Sequence, residues 1–208
     1  MKKLVIAISR AYGSGGTAVA TKLAAQLGIP HYEKEVITMA AEKSGLSSDF
    51  IEQLEHNASK SFLFNLVSTS YSGSTLGMPH YEVPVTYTAY AAQSDVIREL
   101  AAHTNCVIVG RCSQHILKDD PNCIKVFIYA DKEDRINYTM QAEKLNRKEA
   151  ESKLAKIDKG RSNYYKTYTG EEWGNPYEHD ICINTSRCGT DGAVEAIIAY
   201  LKGAGKLD

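Results

Sequence analysis

Apolar, largely β-branched residues concentrate in four short runs, at positions 4–8, 106–109, 123–129 and 180–183. The runs are largely non-alternating, the pattern of strands buried on both faces of a parallel sheet. Between them the spacing of apolar positions predicts helices over 17–27, 89–103, 131–145, 147–168 and 192–201. Gly28 and Pro30 close the first of these helices. Asn146, with Glu149 three residues on, reads as a capping box that separates two helices otherwise continuous in pattern. Strands alternating with helices define an α/β chain with right-handed crossovers. The segment from 44 to 84 breaks this rhythm. Helices are expected there at 47–56 and 61–67, followed by a loop-like run at 68–84 whose Gly, Ser and Pro content marks a mobile insertion.

The chain has 208 residues, enough for one domain with a modest insertion and a sizeable core. A hydrophobic share of 43% and a charged share of 24% exclude a disordered or collagenous chain. Lys+Arg number 24 and Asp+Glu 25, so there is no bulk positive field to hold nucleic acid or an anionic membrane, and any polyanion site must be local. The five cysteines are odd in number and form no C-x-x-C pair, which is free-thiol usage in a reducing compartment. The apolar run after Met1-Lys2-Lys3 is too short for a signal peptide, and no membrane span follows. The expectation is a soluble, cytoplasmic protein.

The first apolar run leads through Ser9, Arg10, Ala11 and Tyr12 into Gly13-Ser14-Gly15-Gly16-Thr17 and then a helix. Strand, glycine turn and helix together aim backbone N–H groups and a helix N-terminus at a phosphate. Against G-x-x-x-x-G-K-[ST], Arg10 replaces the first glycine and Gly16 replaces the lysine. A tight turn without ligand fits this loop taken alone almost equally well. Arg111, after Gly110, stands at a strand's carboxyl end, where open α/β sheets bind ligands, or else it caps a surface loop. The stripe Ala150, Leu154, Ile157 continues to Arg161, which shares a face with Asp158; the pair can address a polar ligand or stiffen the helix. The aromatic segment 164–174 reads as packing beneath a lid rather than as a base-stacking platform. His103 with Cys106 and Cys112 with His115 resemble zinc pairs. A strand between the two cysteines would hold them roughly 20 Å apart, too far for one ion. G-x-S-x-G is absent, which makes nucleophilic hydrolysis a poor alternative.

Ile8-Ser9-Arg10 with Tyr12 to Gly16, then Leu27-Gly28-Ile29-Pro30-His31-Tyr32-Glu33-Lys34-Glu35, then Gly110-Arg111, then Asp158-Lys159-Gly160-Arg161 with Tyr164-Tyr165, closely resemble the cytidylate kinase-like family. The likeness covers almost the whole chain except 59–88. It implies one P-loop kinase-type domain over 1–208, with a five-stranded parallel sheet, a substrate-binding insertion at 44–88 and a lid region at 131–178. It also implies ATP and Mg²⁺ as cofactor and metal, and a small-molecule nucleotide as substrate. By the same resemblance Gly13, Ser14, Gly15, Gly16 and Thr17 cradle the ATP phosphates, with the Thr17 hydroxyl on magnesium. Arg111 contacts the cytosine nucleotide, Asp158 the sugar and Arg161 the monophosphate. Glu33 joins the substrate site, and Arg135, at the start of the lid, binds the transferring phosphates.

Two departures stand out: Gly16 at the lysine position, where glycine is common in this group, and Cys112 where cytidylate kinases carry an aspartate that reads the cytosine amino group. Phosphoryl transfer rests on positioning and charge neutralisation, so a lost lysine needs a substitute; Arg10 or Lys34 could supply the charge, and Arg10, which leaves the same strand end, is the candidate. The expected function is transfer of the ATP γ-phosphoryl group to a nucleoside monophosphate, with CMP leading. The alternative is a nucleotide-binding sensor without transfer, and a Gly16→Lys exchange is expected to tell the two apart.

Overall fold

The computed structural model describes residues 3–56 and 84–207. The helix expected at 61–67 and, except for Pro84, the loop expected at 68–84 lie outside the described residues. Strand β1 (Val5–Arg10) is flanked by β3 (Cys106–Val109) and β4 (Cys123–Tyr129). The edges are β2 (His31–Tyr32) and β5 (Ile181–Asn184), giving one five-stranded parallel sheet in the order β2-β3-β1-β4-β5.

The non-alternating runs are explained by what covers the two faces. Val5 and Ala7 point into a core closed by α2 (Glu35–Ser44), α3 (Ser48–His56) and α4 (Val85–His103). Leu4, Ile6 and Ile8 point the other way, onto α1 (Gly16–Leu27) and α8 (Thr185–Gly203). Leu4 and the four strand residues after it have no exposed surface, so there is no solvent face to carry a polar alternation. A third, smaller cluster of Ile136, Ala150 and Leu154 joins α6 (Lys132–Glu143) to α7 (Arg147–Thr169). The capping box at Asn146 and Glu149 is present and starts α7.

Three elements have no counterpart in the periodicity. Strand β2 is only two residues long, too short to show a pattern. Helix α2 buries Val36, Ile37, Ala40 and Ala41 on one face. Helix α5 (Ser113–Ile116) is a single turn. Helix α8 starts earlier than expected and breaks at Gly189, where φ is 67° and ψ −178°.

Connections from β1 and β3 leave in opposite directions along the sheet, so the crevice at their carboxyl ends is the topological switch point. Arg10, Gly110 and Arg111 stand at that crevice. No described helix is long and apolar enough to cross a membrane.

Candidate active site

The glycine turn between β1 and α1 takes its shape from two left-handed residues, Gly13 at φ 74° and Gly15 at φ 75°. A side chain at 13 would press on the Arg135 carbonyl oxygen at 3.0 Å, and one at 15 on Thr190 at 2.9 Å. Only glycine suits both the dihedral and the space. The Ser14 hydroxyl turns inward, within hydrogen-bonding distance of the carbonyls of Ala11 (2.8 Å) and Ile128 (3.2 Å). Ser14 thus anchors the turn to β4 and offers a ligand only its backbone. From the other side the Thr185 hydroxyl donates to the Ser14 carbonyl at 2.8 Å. No side chain caps the first turn of α1, whose amide end opens at the turn.

Arg10 lies beside this cradle in a slot between two glycines. A Cβ on Gly16 would fall closer than 3.0 Å to Cβ and Cγ of Arg10, and one on Gly110 closer than 3.0 Å to its Nη1. The Arg10 side chain is 11% exposed, and its Nη2 donates to Glu33 Oε1 at 2.7 Å. Glu33 Oε1 also lies 3.3 Å from the Thr17 hydroxyl. The arginine therefore fills the space that a lysine stem at 16 would need. This corrects the expectation for Gly16→Lys: the single exchange does not fit while Arg10 is present, because the opposing atoms are the fixed base of that side chain rather than its flexible end.

Past β3 the chain runs through three consecutive left-handed residues: Gly110 (φ 73°), Arg111 (φ 59°) and Cys112 (φ 56°). Two of these are not glycine, a backbone cost that clusters at ligand sites. The turn buries Arg111 to 6% exposure beside Arg10. Arg161 reaches in from α7 and donates through Nη1 to the Arg10 carbonyl at 3.0 Å. The three arginines line one narrow cleft, together with Gln114, Tyr164 and Trp173. Burial, and then repulsion from Arg10, push Arg161 down to about 9 and Arg111 down to about 10. All three guanidiniums remain charged at neutral pH. An anion in the cleft would relieve this repulsion.

Asp158 and Arg135 are differently engaged. Asp158 Oδ1 accepts from the Tyr12 backbone N–H at 2.9 Å, and its Oδ2 accepts from Arg135 Nη2. Arg135 Nε donates to the Tyr12 carbonyl at 2.6 Å. Both therefore hold the turn at Tyr12, and Arg161 stands 3.9 Å from Asp158 Oδ1 in the same network. The Tyr12 ring lies beneath the Arg161 guanidinium at 5.7 Å. Tyr12 as the meeting point of α6, α7 and the glycine turn was not apparent from sequence, because its contacts come from residues far along the chain. Gln114, Tyr164, Tyr165 and Trp173 were likewise missed as cleft residues; the aromatic density at 164–174 was the only signal.

Burial raises the Cys112 thiol well above its usual range, which removes it as a nucleophile near neutral pH. Among the described residues no group of three or more His, Cys, Asp or Glu could hold a metal ion by itself. A magnesium ion carried by a nucleotide asks less of the protein, one or two oxygen ligands beside the phosphates. The Thr17 hydroxyl and the Glu33 carboxylate, side by side at the cradle, fit that requirement. The uncapped start of α1 fits the phosphates themselves.

Comparison with known proteins agrees with this geometry. The model of the cytidylate kinase-like family matches residues 5–187. No curated protein matches. Among solved structures, an uncharacterized protein from Eubacterium ventriosum ATCC 27560 is 29% identical, with a TM-score of 0.69, covering 96% of this chain and 99% of its own. Shikimate kinase from Acinetobacter baumannii, solved with shikimate, is 16% identical with a TM-score of 0.52, covering 100% and 97%. Shikimate kinase from Bacteroides thetaiotaomicron is 12% identical with a TM-score of 0.54, covering 96% and 98%. At these identities the two shikimate kinases speak for the fold alone, which is that of P-loop kinases.

Proposed function

Since the chain belongs to the cytidylate kinase-like family, we propose that it is an ATP-dependent phosphotransferase acting on a nucleoside monophosphate, with CMP the leading acceptor. The observation that carries this reading is the course of Arg10 between Gly16 and Gly110. A cation that leaves the end of β1, borders the cradle through Gly16 and lines the acceptor cleft is suited to the charge of a phosphoryl group passing between the two.

In this mechanism the amides at 13–17 bind the phosphates of ATP. Thr17 and Glu33 would hold a magnesium ion, which would supply charge neutralisation at the outer phosphates. Arg111 and Arg161 bind the acceptor's anionic group and orient its oxygen in line with the γ-phosphorus. That oxygen forms a bond to phosphorus as the bond to the β-phosphate oxygen breaks, and ADP leaves. Glu33 holds Arg10 in place and stands beside the Thr17 hydroxyl, where the pair would hold a magnesium ion. Arg135 and Asp158 clamp Tyr12 so that α7 stays over the turn and excludes water. The segment 44–88 would cover the acceptor and 131–178 would act as the lid.

The test is phosphoryl transfer from Mg-ATP to a panel of nucleoside monophosphates and simple hydroxy acids, with wild type, Arg10→Ala and the paired exchange Arg10→Gly with Gly16→Lys. Transfer is expected with wild type, to fall about 10²- to 10³-fold with Arg10→Ala, and to recover at least tenfold over Arg10→Ala in the paired exchange. Unchanged ATP affinity and turnover in Arg10→Ala would remove Arg10 from the mechanism. ATP binding without transfer to any acceptor would identify a sensor, the reading that Gly16 favours if nothing replaces its lysine.

A further inference from the structure

Beside the three arginines the cleft contains one buried acceptor that none of the guanidiniums reaches. Gln114 is 3% exposed, lines the cleft, and its Oε1 is buried without a hydrogen-bond partner. The orientation of its amide follows from its neighbour. The Tyr165 hydroxyl gives its hydrogen to Glu178 Oε2, so towards Gln114 the phenol oxygen can only accept, and it is the amide nitrogen that suits that side. That leaves the carbonyl oxygen of Gln114 without a donor. The other polar side chains of the lining are guanidiniums, an indole N–H, a thiol and hydroxyls. Gln114 therefore supplies the one amide acceptor among groups that mostly donate.

Buried acceptors in native proteins are almost always paired, and one that is not marks a place where a ligand or water belongs. We propose that Gln114 is a specificity-determining residue of the acceptor site. The ligand is then an anion held by Arg111 and Arg161 whose body also carries a hydrogen-bond donor, an amino or hydroxyl group, that meets Gln114 Oε1. This rests on the proposed acceptor role of the cleft and adds the chemistry of the ligand's other end. A site built to accept from such a group rejects analogues that lack it, because the buried carbonyl is then left unpaired.

Trp173, the only tryptophan of the chain, lines the same cleft, so its fluorescence reports binding independently of turnover. The probes are inorganic phosphate, ribose 5-phosphate, CMP, and the pyrimidin-2-one analogue of CMP that lacks the amino group. They are titrated into wild type, Gln114→Met, which keeps the length but removes the acceptor, and Gln114→Glu, which keeps an acceptor.

In wild type at least one donor-bearing probe should bind about ten- to hundred-fold more tightly than inorganic phosphate. Gln114→Met should abolish that advantage and leave phosphate affinity within about twofold, while Gln114→Glu should retain it. A matching loss with the pyrimidin-2-one analogue assigns the donor to an amino group. A Gln114-dependent advantage for ribose 5-phosphate assigns it to a hydroxyl. The proposal is overturned if wild type shows no preference for donor-bearing probes, a result that needs no variant to fold. It is equally overturned if Gln114→Met keeps the preference. Failure of inorganic phosphate to bind wild type would instead refute the acceptor role of the arginine cleft itself, and the Gln114 assignment with it.

Discussion

The glycine cradle and the arginine cleft adjoin each other, yet they are built on opposite principles. The cradle is made of backbone: two left-handed glycines, an uncapped helix start, and a serine that faces inward. The cleft is made of side chains, with Arg10, Arg111 and Arg161 arriving from three separate segments and crowded enough to repel one another. Backbone amides carry partial charge and need little desolvation, so the cradle is stable while empty. Buried guanidiniums that repel one another gain when an anion joins them. The cradle can therefore wait for its ligand as it stands, whereas the cleft is the region whose energy changes most when filled.

The largest effect that would break this contrast is expected from Arg161→Ala. Acceptor kcat/KM should fall about 10²- to 10³-fold, while the KM for ATP changes little. Equal damage to both substrates would mean that cradle and cleft are one site. Next, phosphate at about 100 times its Kd should stabilise the protein by about 2.7 kcal/mol, seen as a rise in Tm, with the gain lost in Arg111→Ala. An undiminished gain in that variant would place the anion in the cradle. Gly13→Ala should cost about 1–3 kcal/mol through its left-handed dihedral and its contact with Arg135, and weaken ATP without altering discrimination among acceptors. Denaturant midpoints and ATP titration check both parts.

The smallest effect concerns the outer clamp, where Glu143 accepts from Lys153 and from the Tyr12 hydroxyl. These bonds, the Lys153 one first, hold the Glu143 carboxyl below its ordinary value of 4.5. Its contribution is complete above that value and lost as the pH falls through the lowered one. Glu143→Gln should therefore destabilise by at most about 1 kcal/mol at neutral pH, and the difference from wild type should vanish in acid below the ordinary carboxylate range. Stability curves of both proteins against pH provide the comparison.

How legible each region was follows from the range of its interactions. The strand runs, the helix after the glycine turn and the capping box at Asn146 come from neighbours within a few residues, and all three are present in the structure. β2 escaped notice because two residues cannot display a period, and its place at the edge depends on pairing His31 with Val107 and Tyr32 with Ile108. Asp158 and Arg161 were visible as neighbours on one helical face. That Asp158 would turn to Tyr12 and Arg135 while Arg161 reached the Arg10 carbonyl was not, since those partners lie on other elements.

By itself the sequence determined the α/β layering, the phosphate-type turn and the absence of a lysine at 16, because each is written in local periodicity or residue identity. Tertiary structure alone decided what occupies the space where that lysine would stand. The parallel register that pairs Ile8 with Val109 carries the next residues of both strands to the same crevice, and there the missing side chains of Gly16 and Gly110 open the slot that Arg10 fills. No local rule relates positions 10, 16 and 110; only the register of the sheet and the volume of an arginine do so.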